Sequence, residues 1–455
     1  MKLPAKVLIA NRGEIAVRVA RTLRAMEIAS VAVASEADRG APHVKASDEF
    51  VVIGPAPAAE SYLRADRILD AAARTGADAI HPGYGFLSES AAFARACRDK
   101  GIRFIGAAPE SMEKLGDKAA ARSAAVRLGI PVVPGAEEIP DAARALREAE
   151  RIGYPVLLKA AGGGGGRGMR RVASASELPD AFEGARREAE ASFGDGRIFV
   201  EKLVDPARHV EVQLLGDGAG AVALGERECS LQRRYQKVVE ESPSTAVTPE
   251  IRRAMEDAAV RLAVDAGYSG ACTAEFLLGP DGSFYFLEVN ARLQVEHPVT
   301  EARFGIDLVR AQIEIASGGP LPKPAPPRGH AIEARLNAED PYRAYMPQTG
   351  NVHFLHWPAG EGIRVDTGIA EGRDVTAHYD SLLAKVIAHG KNREEARGRL
   401  VAALRDLALL GVRTNQSFLI DVLESEAFTR GETYTRTLES REWPAPAVIP
   451  DEVLL

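Results

Sequence analysis

The alternation of apolar and polar positions divides the chain into elements. Lys6 to Ala10 (KVLIA) reads as a short buried strand and Asn11-Arg12-Gly13 as a turn, after which Ile15, Val19, Leu23 and Met26 recur at helical spacing. Apolar runs follow at Val31 to Ala34, Val51 to Ile53 and Ala79-Ile80, the last ending in His81-Pro82-Gly83. Strand, helix, strand alternation predicts an α/β fold that opens on a parallel, Rossmann-like sheet. The turn after the first strand holds one glycine, Gly13, and not G-x-G-x-x-G, so no dinucleotide site is expected there.

A second unit contains Val156-Leu157-Leu158-Lys159, a run of glycines and Ile198-Phe199-Val200-Glu201. The chain divides into residues 1–117, a helical connection over 118–134, a glycine-rich unit over 135–204 and a C-terminal part over 205–446. The prolines between Gly318 and Gly329 read as an extended spacer. Asn392 to Leu407 reads as a solvated helix face, and no internal repeat is visible.

Composition narrows the function. At 455 residues the chain is long enough for about three domains. A 46% apolar and 27% charged composition is that of an ordinary globular protein and excludes disorder as the main state. The net charge of −7 argues against a general nucleic-acid binder, although a local basic groove stays open. The three cysteines, Cys97, Cys229 and Cys272, are far apart, which excludes a disulfide framework and fits a reducing cytosol. No apolar run approaches a membrane span, and the N-terminus lacks a signal-peptide core, so the chain reads as cytoplasmic and complete.

Three stretches carry candidate chemistry. Gly162 to Gly166 are consecutive glycines, and Met169 to Ala173 continues as a strand, so the run describes a glycine-rich hairpin. Such a loop is either a flexible linker or a phosphate cradle; Lys159 beside it favours the cradle. Cys272 to Leu278 and Ser283 to Val289 form a hairpin around Gly279-Pro280-Asp281-Gly282. A turn centred between Pro280 and Asp281 puts Glu275 opposite Phe286 and diagonal to Glu288, on the same face. With Asn290, these carboxylates are either solvent-facing or a magnesium site. In Arg292-Leu293-Gln294-Val295-Glu296, alternate residues share a face if the segment is extended, which sets an anion clamp beside a carboxylate base. Lys237 lies in a further polar stretch, Cys229 to Glu241, and the HxxH of His353 and His356 reads as fortuitous.

Several runs together resemble the ATP-grasp fold and, within it, the biotin carboxylases. They are Ile9 to Ala16 (IANRGEIA), His81 to Glu89 (HPGYGFLSE), Gly116-Asp117-Lys118, Lys159 to Met169, Arg208 to Glu211, Gln232 to Lys237, Glu288 to Thr300 (EVNARLQVEHPVT) and Arg335 to Asp340 (RLNAED). They occur in the family's order and at its spacing, and the similarity covers nearly the whole chain. The resemblance implies an α+β ATP-grasp architecture: an N-terminal Rossmann-like domain, a glycine-rich lid and a C-terminal antiparallel-sheet domain. It implies that Lys118, Lys159, Gly164, Gly165, Gly166, Met169, His209, Gln232 and Tyr235 hold ATP, with Glu201, Lys202, Leu203 and Val204 at the adenine. Glu275, Glu288 and Asn290 are implied to hold Mg²⁺ or Mn²⁺. Lys237, Arg292, Gln294, the Val295 backbone and Glu296 are implied to bind bicarbonate, with Glu296 as base. Arg335 is implied to face the biotin enolate, with Tyr84 nearby.

The family usually has His where Tyr235 stands, which puts one nucleotide contact in doubt. No A-M-K-M run occurs, so biotin is expected on a separate biotin carboxyl carrier protein, with carboxyltransferase subunits as further partners and a homodimer as the assembly. Membrane and nucleic-acid partners are not expected. An acidic protein that binds ATP and bicarbonate is expected to concentrate Lys and Arg in its cleft. Two rival readings are another ATP-grasp carboxylate–amine ligase and a non-catalytic ATP-binding subunit. E-H-P-V-T and Arg335 oppose the first, and an intact set of acidic residues opposes the second. The final acyl acceptor, whether acetyl-CoA, another acyl-CoA or pyruvate, is not legible.

Overall fold

The computed structural model describes residues 1–160, 168–234 and 236–445. Five strands, β1 (Lys6–Ile9), β2 (Ala29–Ser35), β3 (Glu49–Gly54), β4 (Ala79–His81) and β5 (Arg103–Phe104), form a parallel sheet in the order β3-β2-β1-β4-β5. Val7 and Ile9 pack against Ile15, Val19 and Leu23 of the helix Gly13–Ala25. On the opposite face, Leu8 packs with Ile68, Leu69 and Ala72 of the helix Ala65–Thr75. Burial on both faces is why these strands read as continuous apolar runs.

Strand order reverses between β1 and β4, which opens a crevice at their carboxyl ends. Asn11 sits at this point, and its Nδ2 donates to the carbonyls of Pro82 and Tyr84, both at 2.7 Å. Gly83 is in the left-handed region (φ +63°), and a Cβ there would meet the Asn11 Nδ2 at 2.8 Å. The His-Pro-Gly-Tyr turn is thus shaped by a contact that only glycine permits.

The next unit is an antiparallel sheet of β6 (Gly135–Ile139), β7 (Val156–Ala160), β8 (Met169–Val172) and β9 (Ile198–Lys202), in the order β6-β9-β7-β8. Two helices, Ala142–Ile152 and Leu178–Phe193, help close a core of its own around Val156, Leu158, Val172, Phe182 and Val200. The β7–β8 hairpin flanks the glycine run as the sequence predicts; the run itself, with Gly164, Gly165 and Gly166, lies outside the described residues.

The largest sheet has eight antiparallel strands. It contains β10 (Arg208–Asp217), β11 (Ala221–Arg233), β12 (Gln236–Ser242), β13 (Ser269–Leu278), β14 (Phe284–Asn290) and β15 (His330–Asn337). Its order is β14-β13-β10-β11-β12-β15, continued by Leu382–Gly390 and Ile363–Thr367. One core lies around Met255, Leu262, Phe276 and Phe286, and another around Ile332, Val386, Leu400 and Phe418. A single sheet therefore joins the acid-bearing hairpin to the C-terminal part. No helix among the described residues is long and apolar enough to cross a membrane.

The segment read as a solvated helix face is different in the structure. The helix Arg393–Asp406, capped where Asn392 accepts from the Glu395 N–H at 2.9 Å, buries Ala396, Leu400, Val401, Ala403 and Leu404. Ala396, Leu400 and Leu404 are four residues apart, and the charges between them mask this stripe. Leu400→Ala should lower unfolding stability by about 2–5 kcal/mol in urea titrations. A change below about 0.5 kcal/mol would restore the solvated reading.

Candidate active site

The site begins with the β13–β14 hairpin. Glu275 lies directly opposite Glu288, while Phe276 faces Phe286, so Leu287 is the extra residue of a β-bulge. This corrects the predicted register, in which Glu275 faced Phe286 and stood diagonal to Glu288. The turn sets the pairing one residue further on and the bulge adds another step. The two carboxylates become a facing pair. The Asn290 Nδ2 donates to Glu275 Oε1 at 2.9 Å, and Glu288 takes the Lys118 ammonium at 2.8 Å. Lys118, Glu288 and Asn290 line a cleft of about 780 Å³ with Glu89 and Glu113. Two facing carboxylates and an amide are hard oxygen donors, the set that suits Mg²⁺. Glu275 stays ionised: burial pushes its pKa up, but Lys237 and His209 together bring it well below the usual carboxylate range.

At the centre is Lys237. Its Nζ donates to Glu211 Oε2 at 2.5 Å, to Glu296 Oε1 at 2.6 Å and to Glu275 Oε1 at 2.9 Å. All three ammonium donors are thereby used. Arg227, with no solvent exposure, supports Glu211 from behind through an Nε–H bond of 2.5 Å and also donates to Gln213, Thr300 and Thr273. Arg335 donates from Nε to Glu240 Oε1 at 2.6 Å and from Nη2 to Glu296 Oε2 at 3.0 Å. Glu296 is therefore held between two cations. Burial pushes its pKa up, yet Lys237 and Arg335 hold it well below the usual range. Glu240 goes the other way: burial outweighs Arg335 and raises it to about 7.

The segment after β14 is not extended. It is a loop that turns into the helix His297–Phe304, with Glu296 at the helix start. Arg292 and Glu296 therefore do not share a strand face as predicted. Arg292 donates to Glu89 Oε2 (2.9 Å), Gln294 Oε1 (2.7 Å) and Asn290 Oδ1 (2.9 Å). The Gln294 Nε2 reaches Glu275 Oε1 at 3.2 Å, so Gln294, Glu275 and Lys237 connect Arg292 to Glu296. The His209 Nε2 lies 3.0 Å from Glu275 Oε2, and its Nδ1 is 2.6 Å from the Gln232 amide.

In the four-stranded unit, Lys159 pairs with Glu201, and Met169 opens β8 opposite Lys159. Lys202 donates to the Gly153 and Tyr154 carbonyls, and the Leu203 N–H to that of Pro155; Val204 follows at the exit. The Tyr84 hydroxyl donates to Glu14 and lies within electrostatic reach of Arg335. Tyr235 lies outside the described residues.

Sequence reasoning assigned no role to Glu211, Arg227, Glu240, Glu89, Glu14 or Lys385. For Glu211, Glu240 and Lys385 the signal is a charge inside a strand and beside apolar neighbours, because a buried charge requires a partner; Glu14 lies on a helix and Glu89 in a turn, and carry no such signal. Lys and Arg gather in the cleft, but they do not stand alone there. Arg227, Lys237 and Arg335 are matched by Glu211, Glu240, Glu275 and Glu296.

Three family models match. "Biotin carboxylase, N-terminal domain" covers residues 4–112, "Carbamoyl-phosphate synthase L chain, ATP binding domain" 117–324, and "Biotin carboxylase C-terminal domain" 333–440. Biotin carboxylase 2 of Bacillus subtilis is 47% identical over 439 residues, covering 95% of this chain and 99% of that protein. The mitochondrial methylcrotonoyl-CoA carboxylase subunit alpha of Oryza sativa subsp. japonica is 48% identical over 441 residues; the match covers 95% of this chain but only 60% of that protein's length. Among solved structures, the biotin carboxylase domain dimer of Hydrogenobacter thermophilus 2-oxoglutarate carboxylase, in complex with MgADP, ADP and bicarbonate, superposes with a TM-score of 0.90. It is 44% identical and covers 96% of this chain and 98% of that one.

Removing the central cation gives a signed pH test. Lys237→Met takes from three buried carboxylates the ammonium they share, leaving them under-compensated, and should destabilise the fold by about 3–5 kcal/mol near pH 8. In the parent, Glu275 and Glu296 have depressed pKa values, so they stabilise above the unfolded carboxylate range and lose that contribution in acid. In the variant their pKa values rise, they protonate on folding, and the deficit should shrink toward pH 5. Denaturant titrations at both pH values check this; an equal deficit at both would refute the hub.

Proposed function

This chain belongs to the biotin carboxylase family, and we propose that it carboxylates biotin on a separate carrier protein, using ATP and bicarbonate, as the first half-reaction of acetyl-CoA carboxylase or another acyl-CoA carboxylase. The observation that carries this reading is Glu296 held between Lys237 and Arg335, with the same Lys237 ammonium also bonded to the Glu275 that faces Glu288. It is an ATP-dependent ligase by family.

The residues divide the work. Lys118, Lys159, His209, Gln232 and Met169 hold the nucleotide with the glycine run Gly164 to Gly166, and Glu201 to Val204 meet the adenine. Glu275, Glu288 and the Asn290 amide hold Mg²⁺ or Mn²⁺, which supplies neutralisation of phosphate charge. Lys237, Arg292, Gln294 and the Val295 backbone hold bicarbonate. A carboxylate as acidic as Glu296 is a weak base at rest. An anion bound beside it draws on the same cations and adds a like charge, and both raise its proton affinity. Glu296 then takes the bicarbonate proton while the bicarbonate oxygen attacks the γ-phosphorus and ADP leaves. The product, carboxyphosphate, breaks into CO₂ and phosphate, and the phosphate takes the biotin N1 proton. N1 attacks CO₂, with the Arg335 guanidinium opposite the enolate oxygen and Tyr84 beside the ring. The intermediate is water-sensitive, which suits closure of the glycine-bearing unit.

The partners in this reading are a biotin carboxyl carrier protein and carboxyltransferase subunits, and the assembly is a homodimer in a reducing cytoplasm. The three cysteines, all free and buried, support that compartment. Co-purification from the native host identifies the carrier and the acceptor.

The test is ATP cleavage that depends on bicarbonate and is stimulated by free biotin; its absence would overturn the reading. Glu296→Ala should lower bicarbonate-dependent cleavage by about 10²–10⁴-fold. Near-normal activity would remove it as the base. Arg335→Ala should lose biotin carboxylation by about 10²-fold or more while keeping bicarbonate-dependent ATP cleavage. An equal fall in both would remove the enolate role.

A further inference from the structure

We propose that Lys385 is a positioning residue that ties the bicarbonate-binding turn to the biotin-side tyrosine, so that one buried ammonium sets the geometry of both the bicarbonate step and the biotin step. This rests on the biotin carboxylase reading, which fails separately if the unsubstituted chain shows no bicarbonate-dependent ATP cleavage.

Lys385 lies on the strand Leu382–Gly390 with no exposed side-chain surface, opposite Arg335 of β15 and Asp366 of the strand Ile363–Thr367. A buried ammonium that served only to balance charge would spend its donors on carboxylates. Acids surround it: Glu14, Glu333 and Asp366 all favour its charged form against burial. Yet its shortest hydrogen bond, 2.6 Å, goes to the Val295 carbonyl, and the Glu14 contact is longer at 3.1 Å. Glu333 receives no hydrogen bond at either oxygen from the described residues, and Asp366 is taken by Arg364. The ammonium is aimed first at a backbone carbonyl, keeps Glu14 as a second partner, and passes by Glu333 and Asp366.

That carbonyl belongs to the turn between Gln294 and Glu296. A trans peptide is planar, so holding the Val295 oxygen also fixes the direction of the Glu296 N–H. The preceding carbonyl, that of Gln294, is held within 2.8 Å of the His297 Nδ1. Both peptides that flank Val295 are thus pinned on their carbonyl side, which sets their N–H groups. On its other arm Lys385 meets Glu14, the acceptor of the Tyr84 hydroxyl. The chain Tyr84–Glu14–Lys385–Val295 joins the crevice of the parallel sheet to the turn beside the large sheet.

Lys385→Met keeps the apolar stem and removes both arms. At a temperature where circular dichroism shows it folded, the KM for bicarbonate and for free biotin should each rise about tenfold or more. Binding of a non-hydrolysable ATP analogue should change less than about twofold, because the two arms end on Val295 and Glu14. A lower melting temperature with both KM values within about twofold of the parent would reduce Lys385 to a structural ion pair and overturn the proposal. If Lys385→Met does not fold, Glu14→Gln and Tyr84→Phe decide. Each should raise the biotin KM, the double variant should be no worse than either single one, and the bicarbonate KM should move less than about twofold. Additive effects, or an unchanged biotin KM, would overturn it.

Discussion

The site depends on one ammonium held against three carboxylates. Glu211 comes from β10, Glu275 from β13 and Glu296 from the turn after β14, and Lys237 of β12 is what makes their approach tolerable. Without that charge, like charges this close in a buried place would force protonation or separation. The demand reaches outward. β10 and β13 must be neighbours, Glu275 must face Glu288, and the segment after Asn290 must turn inward to deliver Glu296. Arg227 and Arg335, the next charges out, each support one of these acids and bring further partners with them. The hydrogen bonds that fix the acids are the same ones a bound anion has to share. In the proposed reaction, substrate binding and resting-state stability are thus two uses of one set of donors.

What the sequence made legible was local. The parallel sheet, the β7–β8 hairpin and the acid-bearing hairpin all follow from periodicity and turn residues within short windows. The bulge at Leu287 was not legible, since register across a hairpin is decided by packing on both faces of the sheet. Partnerships across the sheet were also hidden. Lys237 and Glu211 are 26 residues apart and Arg335 and Glu240 95 apart, and no periodicity links them. The helix Arg393–Asp406 misled for a related reason: a narrow apolar stripe between many charges resembles a solvated surface until its partner sheet is in view. Resemblance filled part of this gap by naming Lys237, Glu296 and Arg335. It assigned nothing to Lys385 or Glu14, which pair with each other and reach a carbonyl and a tyrosine.

Net charge was a poor guide to the cleft. The chain's −7 suggested that its cations gather where anions bind. They do gather, but each is matched by acids, and the interior is closer to an ionic lattice than to a positive funnel. An anion entering such a lattice exchanges partners. It gains little long-range attraction, and its selectivity comes from geometry at short range.

The glycine-bearing unit has one more consequence, which concerns descent. Its first strand begins at Gly135, paired with Glu201 near the end of its last, and the Lys202 N–H donates to the Pro134 carbonyl. The chain therefore leaves the body and returns to it at adjacent points, around a unit with its own core. This is the anatomy of an inserted domain, which can be gained, lost or exchanged without severing a strand of the host. The eight-stranded sheet offers no such seam, because cutting it anywhere breaks the ladder that carries Lys237 and Arg335. Across related chains, variation in length and sequence should accumulate in the insert, and the sheet should pass on intact.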